Sequence, residues 1–313
     1  MFHGILMPLI TPFTVEDELD LPVYMDMIDG ALAAGVHGFY LMASQGQGPT
    51  MTAGERVKCM RAALAHIKKR VPSVVHVGTT HLTSTQALAR EADAAGAEGI
   101  AVLPPYFYSD HTPQEVEAHF VGAAEASKLP MFMYENGKYT GIDIKPVWLA
   151  RIAELVPTLA GVKLSYSSTM EIYAYLRQVN PRVGMFPGSI THVLPTYELG
   201  IKGCIPPSGV LYPALAVALW EACVAKDWPA AMDMHVTLIK LQSTWARLHK
   251  EFGRSMAREA LKLQGYDVKN FPRWANAQLT EAGMQELYKF EHIRKEAHAA
   301  LKPTSARMAV RAP

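Results

Sequence analysis

The chain has little cysteine: three residues, Cys59, Cys204 and Cys223, far apart in 313. That excludes a disulfide framework or a thiolate zinc cluster and points to a reducing, cytoplasmic setting. An excess of charge is also missing. Thirty Lys and Arg against 29 Asp and Glu leave a formal charge of +1, which gives no electrostatic footprint for nucleic acid or an anionic membrane. No apolar run reaches the roughly 18 residues that a membrane span needs. The N-terminal stretch has neither a basic region nor a small-residue cleavage site, so it is not expected to be a signal peptide. Twelve histidines are present, but none forms a His-x-x-x-His or His-Glu-x-x-His pair, so no metal is expected.

What is present is ample core, since half of the residues are hydrophobic. Short, nearly continuous apolar runs alternate with longer amphipathic stretches. The runs lie at 5–10, 38–42, 74–78, 99–103, 130–134, 160–164, 184–187 and 202–206, and read as eight strands buried on both faces of a parallel sheet. Helical patterns fall between them at 21–34, 52–70, 84–95, 116–126, 145–155, 169–178, 190–198 and 212–225. Thr52-Ala53-Gly54-Glu55 and Thr112-Pro113-Gln114-Glu115 are capping boxes that open two of these helices. A weak repeat, Gly-x-x-Gly, recurs at Gly35–Gly38, Gly96–Gly99 and Gly200–Gly203 between a helix and the next strand. Its first glycine suits a helix C-cap, and its second is expected to let helix and strand pack closely.

Eight βα units over residues 1–226 predict a TIM (β/α)8 barrel. The alternative, an open doubly wound sheet, is disfavoured because no Gly-x-Gly-x-x-Gly follows the first strand. Residues 227–301 read as a C-terminal helical extension that could pack subunits together, and the tail 302–313 as disordered.

In such a barrel the chemistry sits at the C-terminal ends of the strands. Lys163 stands out there, in an otherwise apolar strand. Two readings are open: a rim lysine paired with a carboxylate, or a desolvated amine able to attack a carbonyl. Tyr134 ends the preceding strand, either as a core aromatic or as a proton relay, since a phenol both donates and accepts. The Ser44-Gln45-Gly46-Gln47 turn is an ordinary loop or a carboxylate-holding nest.

Together these residues resemble the N-acetylneuraminate lyase and dihydrodipicolinate synthase superfamily of Schiff-base-forming class I aldolases, over roughly residues 1–300. Gly4 with Thr11-Pro12-Phe13 is similar to the family's first-strand signature. Ala43-Ser44-Gln45-Gly46-Gln47 falls at its carboxylate-binding motif, and Pro105-Tyr106 at the motif after strand four. Tyr134, followed by Thr140-Gly141, and Lys163 fall at the catalytic tyrosine and Schiff-base lysine.

The resemblance implies a pyruvate-type 2-oxo acid lyase or aldolase. Lys163 would be the nucleophile and Tyr134 the proton shuttle. Ser44, Gln45, Gly46, Tyr106, Tyr139, Gly188 and Ile205 would bind substrate. It further implies no cofactor, an aldehyde as the second small-molecule partner, and a homodimer or homotetramer.

Several positions depart from the pattern. Ala43 stands for a glycine, Gln47 for a glutamate, Phe107 for the second tyrosine of a pair, Tyr139 with Lys138 for a carboxylate-binding arginine, and Leu164 for a glutamate. They argue against dihydrodipicolinate synthase proper. A sugar-acid dehydratase, a synthase-like condensing enzyme and a non-catalytic 2-oxo acid sensor are the alternatives. Selectivity is expected from Lys138, Tyr139, Leu164, Ser165, Ser189 and Ser208 around a distal pocket.

Overall fold

The computed structural model describes residues 2–165, 167–274 and 277–301; the tail 302–313, expected to be disordered, lies outside them. Strands and helices alternate from the start. β1 (Gly4–Met7), α1 (Leu21–Ala33), β2 (Gly38–Leu41), α2 (Ala53–Ile67), β3 (Ser73–His76), α3 (Leu82–Ala94), β4 (Gly99–Val102) and α4 (Pro113–Ala124) form the first half. β5 (Met131–Glu135), α5 (Gly137–Thr140), α6 (Pro146–Leu155), β6 (Leu159–Leu164), α7 (Thr169–Gln178), β7 (Gly184–Pro187), α8 (Val193–Tyr197), β8 (Gly203–Cys204) and α9 (Pro213–Val224) form the second. Then come α10 (Trp228–Phe252), α11 (Met256–Leu263) and α12 (Glu281–Ala299).

All strand pairs are parallel, in the order β7-β6-β5-β4-β3-β2-β1-β8. The ends of this sheet meet. Lys202 N–H donates to Met185 O at 3.0 Å and Ile205 N–H to Pro187 O at 2.9 Å, closing the TIM barrel.

Every expected strand forms, but β1 stops at Met7 rather than residue 10, because Pro8 has no N–H for the ladder. Both expected capping boxes are made, and Ser168 with Glu171 makes a third on α7. The helix expected over 190–198 is split into a 3₁₀ turn, Ile190–His192, and α8. Pro195 lacks the N–H that would bond back to Thr191 and continue a single helix.

The repeat's first glycines do adopt left-handed φ of +83°, +83° and +104°. The second glycines work differently from expectation. A Cβ on Gly38 would lie 2.7 Å from Pro72 O, and one on Gly203 2.1 Å from Gly4 O. Their role is close approach between neighbouring strands, not between helix and strand.

Two apolar layers result. Residues facing outward on the strands pack under the helices. Leu6, Tyr40, Val74, Ala101, Phe132, Tyr134, Phe186 and Ile205 fill the barrel's inside. Gly161 makes room there: a Cβ on it would sit 2.6 Å from Phe132 Cε1. Because strand side chains alternate, Gly161 and Lys163 face inward while Val162 and Leu164 face the helices. The register pairs Tyr134 with Lys163 across β5 and β6.

α10 packs on α9 and α12 and turns its inner face over the barrel mouth. Arg273 fastens the segment after α11. Its Nε donates to Asp17 at 2.7 Å and its Nη2 to Glu55 at 2.6 Å, over the Phe13 ring. These hydrogen bonds from Arg273 hold the Glu55 carboxyl down at about 2. None of the described helices is long and apolar enough to cross a membrane.

Candidate active site

A cavity of about 430 Å³ opens at the C-terminal ends of the strands, a size suited to a small-molecule ligand. Tyr134 and Ser44 lie at its floor, with Ser44 Oγ 2.6 Å from Tyr134 OH. Behind Tyr134 stands Lys163, 1% exposed. Its Nζ lies 4.2 Å from the Tyr134 ring centroid and 5.2 Å from that of Tyr40. It has no hydrogen-bond partner among the described residues. The rim lysine paired with a carboxylate is therefore not what the structure contains.

Burial alone would raise the Tyr134 hydroxyl. The Lys163 charge and hydrogen bonds from Ser44 and Asn136 outweigh it and hold the phenol below its ordinary value. His76 on β3 sets its ring edge to Tyr134 at 6.1 Å between centroids. Burial, with the Arg56 and Lys163 cations, keeps it well below the usual imidazole range. Arg56 is itself buried, and donates to Gly78 O at 3.0 Å and to His76 O.

The turn after β2 is drawn tightly together. Gly48 N–H donates to Ala43 O, Gln47 N–H to Ser44 O, and Thr11 Oγ1 to Gly46 O at 2.6 Å. Only glycine fits at 48, where a Cβ would lie 1.8 Å from Met42 O. Gln47, in place of the glutamate expected from the family pattern, accepts from Arg258.

Of the expected binding residues, Ser44, Gln45, Tyr139 and Gly188 line the cavity. Gly46 and Ile205 are buried and do not line it, the latter lying in the barrel interior. Tyr106 packs against that interior and does not line the cavity either. All six residues expected around the distal pocket line it: Lys138, Tyr139, Leu164, Ser165, Ser189 and Ser208.

The roof of the cavity is not apparent from the sequence pattern. Besides any part in subunit packing, the C-terminal helices bring Gln242, Trp245, His249, Arg254 and Arg258 from α10, α11 and their link, with Trp274, to face the cavity. Arg254 lies over the Trp274 ring at 4.9 Å and donates to Tyr139 OH at 3.2 Å. Burial, then the Arg254 and Lys138 charges, lower the His249 pKa. Among the described residues lining the cavity there is no Asp or Glu. A cationic, aromatic enclosure of this kind favours an anionic ligand. No group of three His, Cys, Asp or Glu able to hold a metal occurs among the described residues.

Glu135, next to Tyr134 but pointing away from the cavity, is 4% exposed. Burial raises its carboxyl to about 7, against a hydrogen bond from Gly137 N–H. The unfolded chain ionises this group near 4.5, so the fold loses stability as pH rises from there to about 7. Glu135→Gln should match the native protein below pH 4.5 and exceed it by about 2–3 kcal/mol at pH 8. Urea unfolding at the two pH values checks this; a variant less stable at pH 8 would contradict it.

The model of the dihydrodipicolinate synthetase family matches residues 1–293. The putative 2-dehydro-3-deoxy-D-gluconate aldolase YagE of Escherichia coli K12 is 30% identical over 271 residues, 86% of this chain and 89% of that protein. The 4-hydroxy-tetrahydrodipicolinate synthase of Salinibacter ruber is 29% identical over 239 residues, 76% of this chain and 79% of that one. The crystal structure of YagE in complex with pyruvate superposes with a TM-score of 0.88 at 28% identity, covering 94% of this chain and 99% of that one.

Proposed function

Since the chain belongs to the dihydrodipicolinate synthetase family and is a lyase, we propose that it cleaves or forms a C–C bond next to a pyruvate enamine, through a Schiff base on Lys163. One observation carries this reading. Lys163 is a buried amine with no hydrogen-bond partner among the described residues, set against a tyrosine whose hydroxyl is hydrogen-bonded and held below its ordinary pKa. The mouth above it is cationic and lacks carboxylates among its described residues.

Lys163 attacks the C2 ketone of the 2-oxo acid. Ser44, Gln45 and the Gly46 backbone hold its C1 carboxylate, and Gly188 and Ile205 shape the pocket's opposite side. Tyr106 supports the interior below. Tyr134 passes protons during loss of water from the carbinolamine. In the cleavage direction it takes the proton of the C4 hydroxyl. The C3–C4 electrons then flow into the iminium, giving an enamine and a free aldehyde.

Tyr139, with Lys138, stands where the family pattern has a carboxylate-binding arginine, which supports an aldehyde partner other than that of the synthase. The buried free cysteines fit a cytoplasmic setting. The exposed, edge-to-face Phe107 and Tyr108 offer an apolar knob for a homodimer or homotetramer.

Borohydride reduction in the presence of pyruvate should leave a stable mass increase on Lys163. No adduct with any 2-oxo acid would overturn the reading. Product analysis of a panel of 4-hydroxy-2-oxo acids then separates cleavage, which releases pyruvate and an aldehyde, from dehydration, which keeps the carbon count.

A further inference from the structure

Asn136 was not among the expected site residues, yet it is 1% exposed and lines the cavity floor. It occupies the N-cap position of α5, where asparagine ordinarily accepts from the helix's first free N–H groups. Here its side chain makes no such bond; Glu135 accepts from Gly137 N–H instead. The Asn136 amide turns to the site, with Nδ2 donating to Tyr134 OH at 2.9 Å. Its Oδ1 is buried without a hydrogen-bond partner among the described residues. A side chain that gives up its local capping role and leaves a carbonyl unsatisfied beside a cavity is held there by something other than folding stability.

Resting on the Schiff-base reading above, we propose that Asn136 is the positioning residue of Tyr134: it fixes the phenol oxygen toward the substrate and stabilises it as the anion that removes a proton. An amide neither gains nor loses a proton in the working range, so Asn136 carries none. In the cleavage step the Tyr134 anion takes the hydroxyl proton and becomes neutral, and the C–C electron pair neutralises the iminium. The phenol then returns that proton to C3 of the enamine and is an anion again. Asn136 Nδ2 offers its hydrogen bond throughout, and the bond is strongest when the oxygen is charged. With Ser44 on the other side, Tyr134 has two fixed neighbours from its own chain. Phe107, which is 81% exposed, contributes no hydroxyl.

The other titratable groups facing Tyr134 are Lys163 from β6, Tyr40 from β2 at 6.0 Å between ring centroids, and His76 from β3. None changes in the variants below.

The test follows exchange of the pyruvate methyl protons with deuterated solvent by NMR, which needs the Schiff base and the tyrosine base but no aldehyde. In Asn136→Leu the maximal exchange rate should fall about ten- to hundredfold. The rising limb of its pH profile should move up by about one to two pH units, the effect of losing a hydrogen bond to an anion. Asn136→Asp, which puts a second anion beside the phenol, should move the limb further up. Both variants should still be trapped on Lys163 by borohydride and pyruvate. Unshifted profiles in both would overturn the proposal, because a purely structural role lowers the rate without moving the limb. If Asn136→Leu does not fold, the displacement in Asn136→Asp decides alone. Failure of the native protein to form an adduct would instead strike the Schiff-base reading.

Discussion

Lys163→Met should lose at least about 10⁴-fold in turnover of every 2-oxo acid and give no borohydride adduct, while folding as well as the native protein. Loss of activity in a buried position usually raises the suspicion of unfolding, and here the physics points the other way. The Lys163 amine is 1% exposed and has no hydrogen-bond partner among the described residues. Leaving a polar group in that condition costs roughly 1–3 kcal/mol. Methionine keeps most of the length and the flexibility of the chain beside the Tyr40 and Tyr134 rings while removing the polar end. The unfolding midpoint should therefore equal or exceed that of the native protein. Side-by-side measurement of turnover and urea unfolding checks both halves. An inactive variant with strongly lowered stability would mean that the lysine is structural, and an active one would exclude it as the nucleophile.

Tyr134→Phe should lower turnover by about 10²- to 10⁴-fold, the range for a positioned acid–base group, and should also destabilise. The ring and its packing against Tyr40 and His76 survive the change. The hydroxyl is shared with Ser44 and Asn136, and its removal strands two polar partners at the cavity floor, at about 1–3 kcal/mol. This opposition to Lys163→Met is informative, because one substitution removes a hydrogen-bonded hydroxyl and the other removes an unsatisfied group. Since Lys163 remains, Tyr134→Phe should still be trapped by borohydride with pyruvate, but slowly. Unchanged turnover would exclude the tyrosine as the proton carrier.

The barrel was legible in the sequence because a strand buried on both faces has a distinctive signature: a short apolar run with helical periodicity on either side. The same alternation located Lys163 as the charged residue inside such a run rather than at its start, as Lys202 is, and the cavity-lining residues at the strand ends followed from topology. Proline explains two of the boundaries that failed: Pro8 ended β1 early and Pro195 split a helix. Asn136 escaped notice because nothing in Glu135-Asn136-Gly137 distinguishes a cap from an asparagine turned back to its neighbour; only the φ and ψ of the turn decide it. The roof escaped for a different reason. The periodicity of α10 shows that it has an apolar face, but not that Trp245 and His249 overhang strands encoded far earlier in the chain.

That roof divides the labour of the molecule along the gene. The proposed bond-making groups, Ser44, Tyr134 and Lys163, lie in the first two-thirds of the chain, while the roof over the cavity comes from 242 onward. The two parts are tied together at many points, among them Arg254 on Tyr139, 115 residues apart, and Arg258 on Gln47. Mutations at late residues that face the cavity but touch none of these groups, such as Trp245 and His249, can thus reshape which partner molecule fits and leave the groups that make the enamine in place. A lineage built this way can keep one reaction and change its clientele.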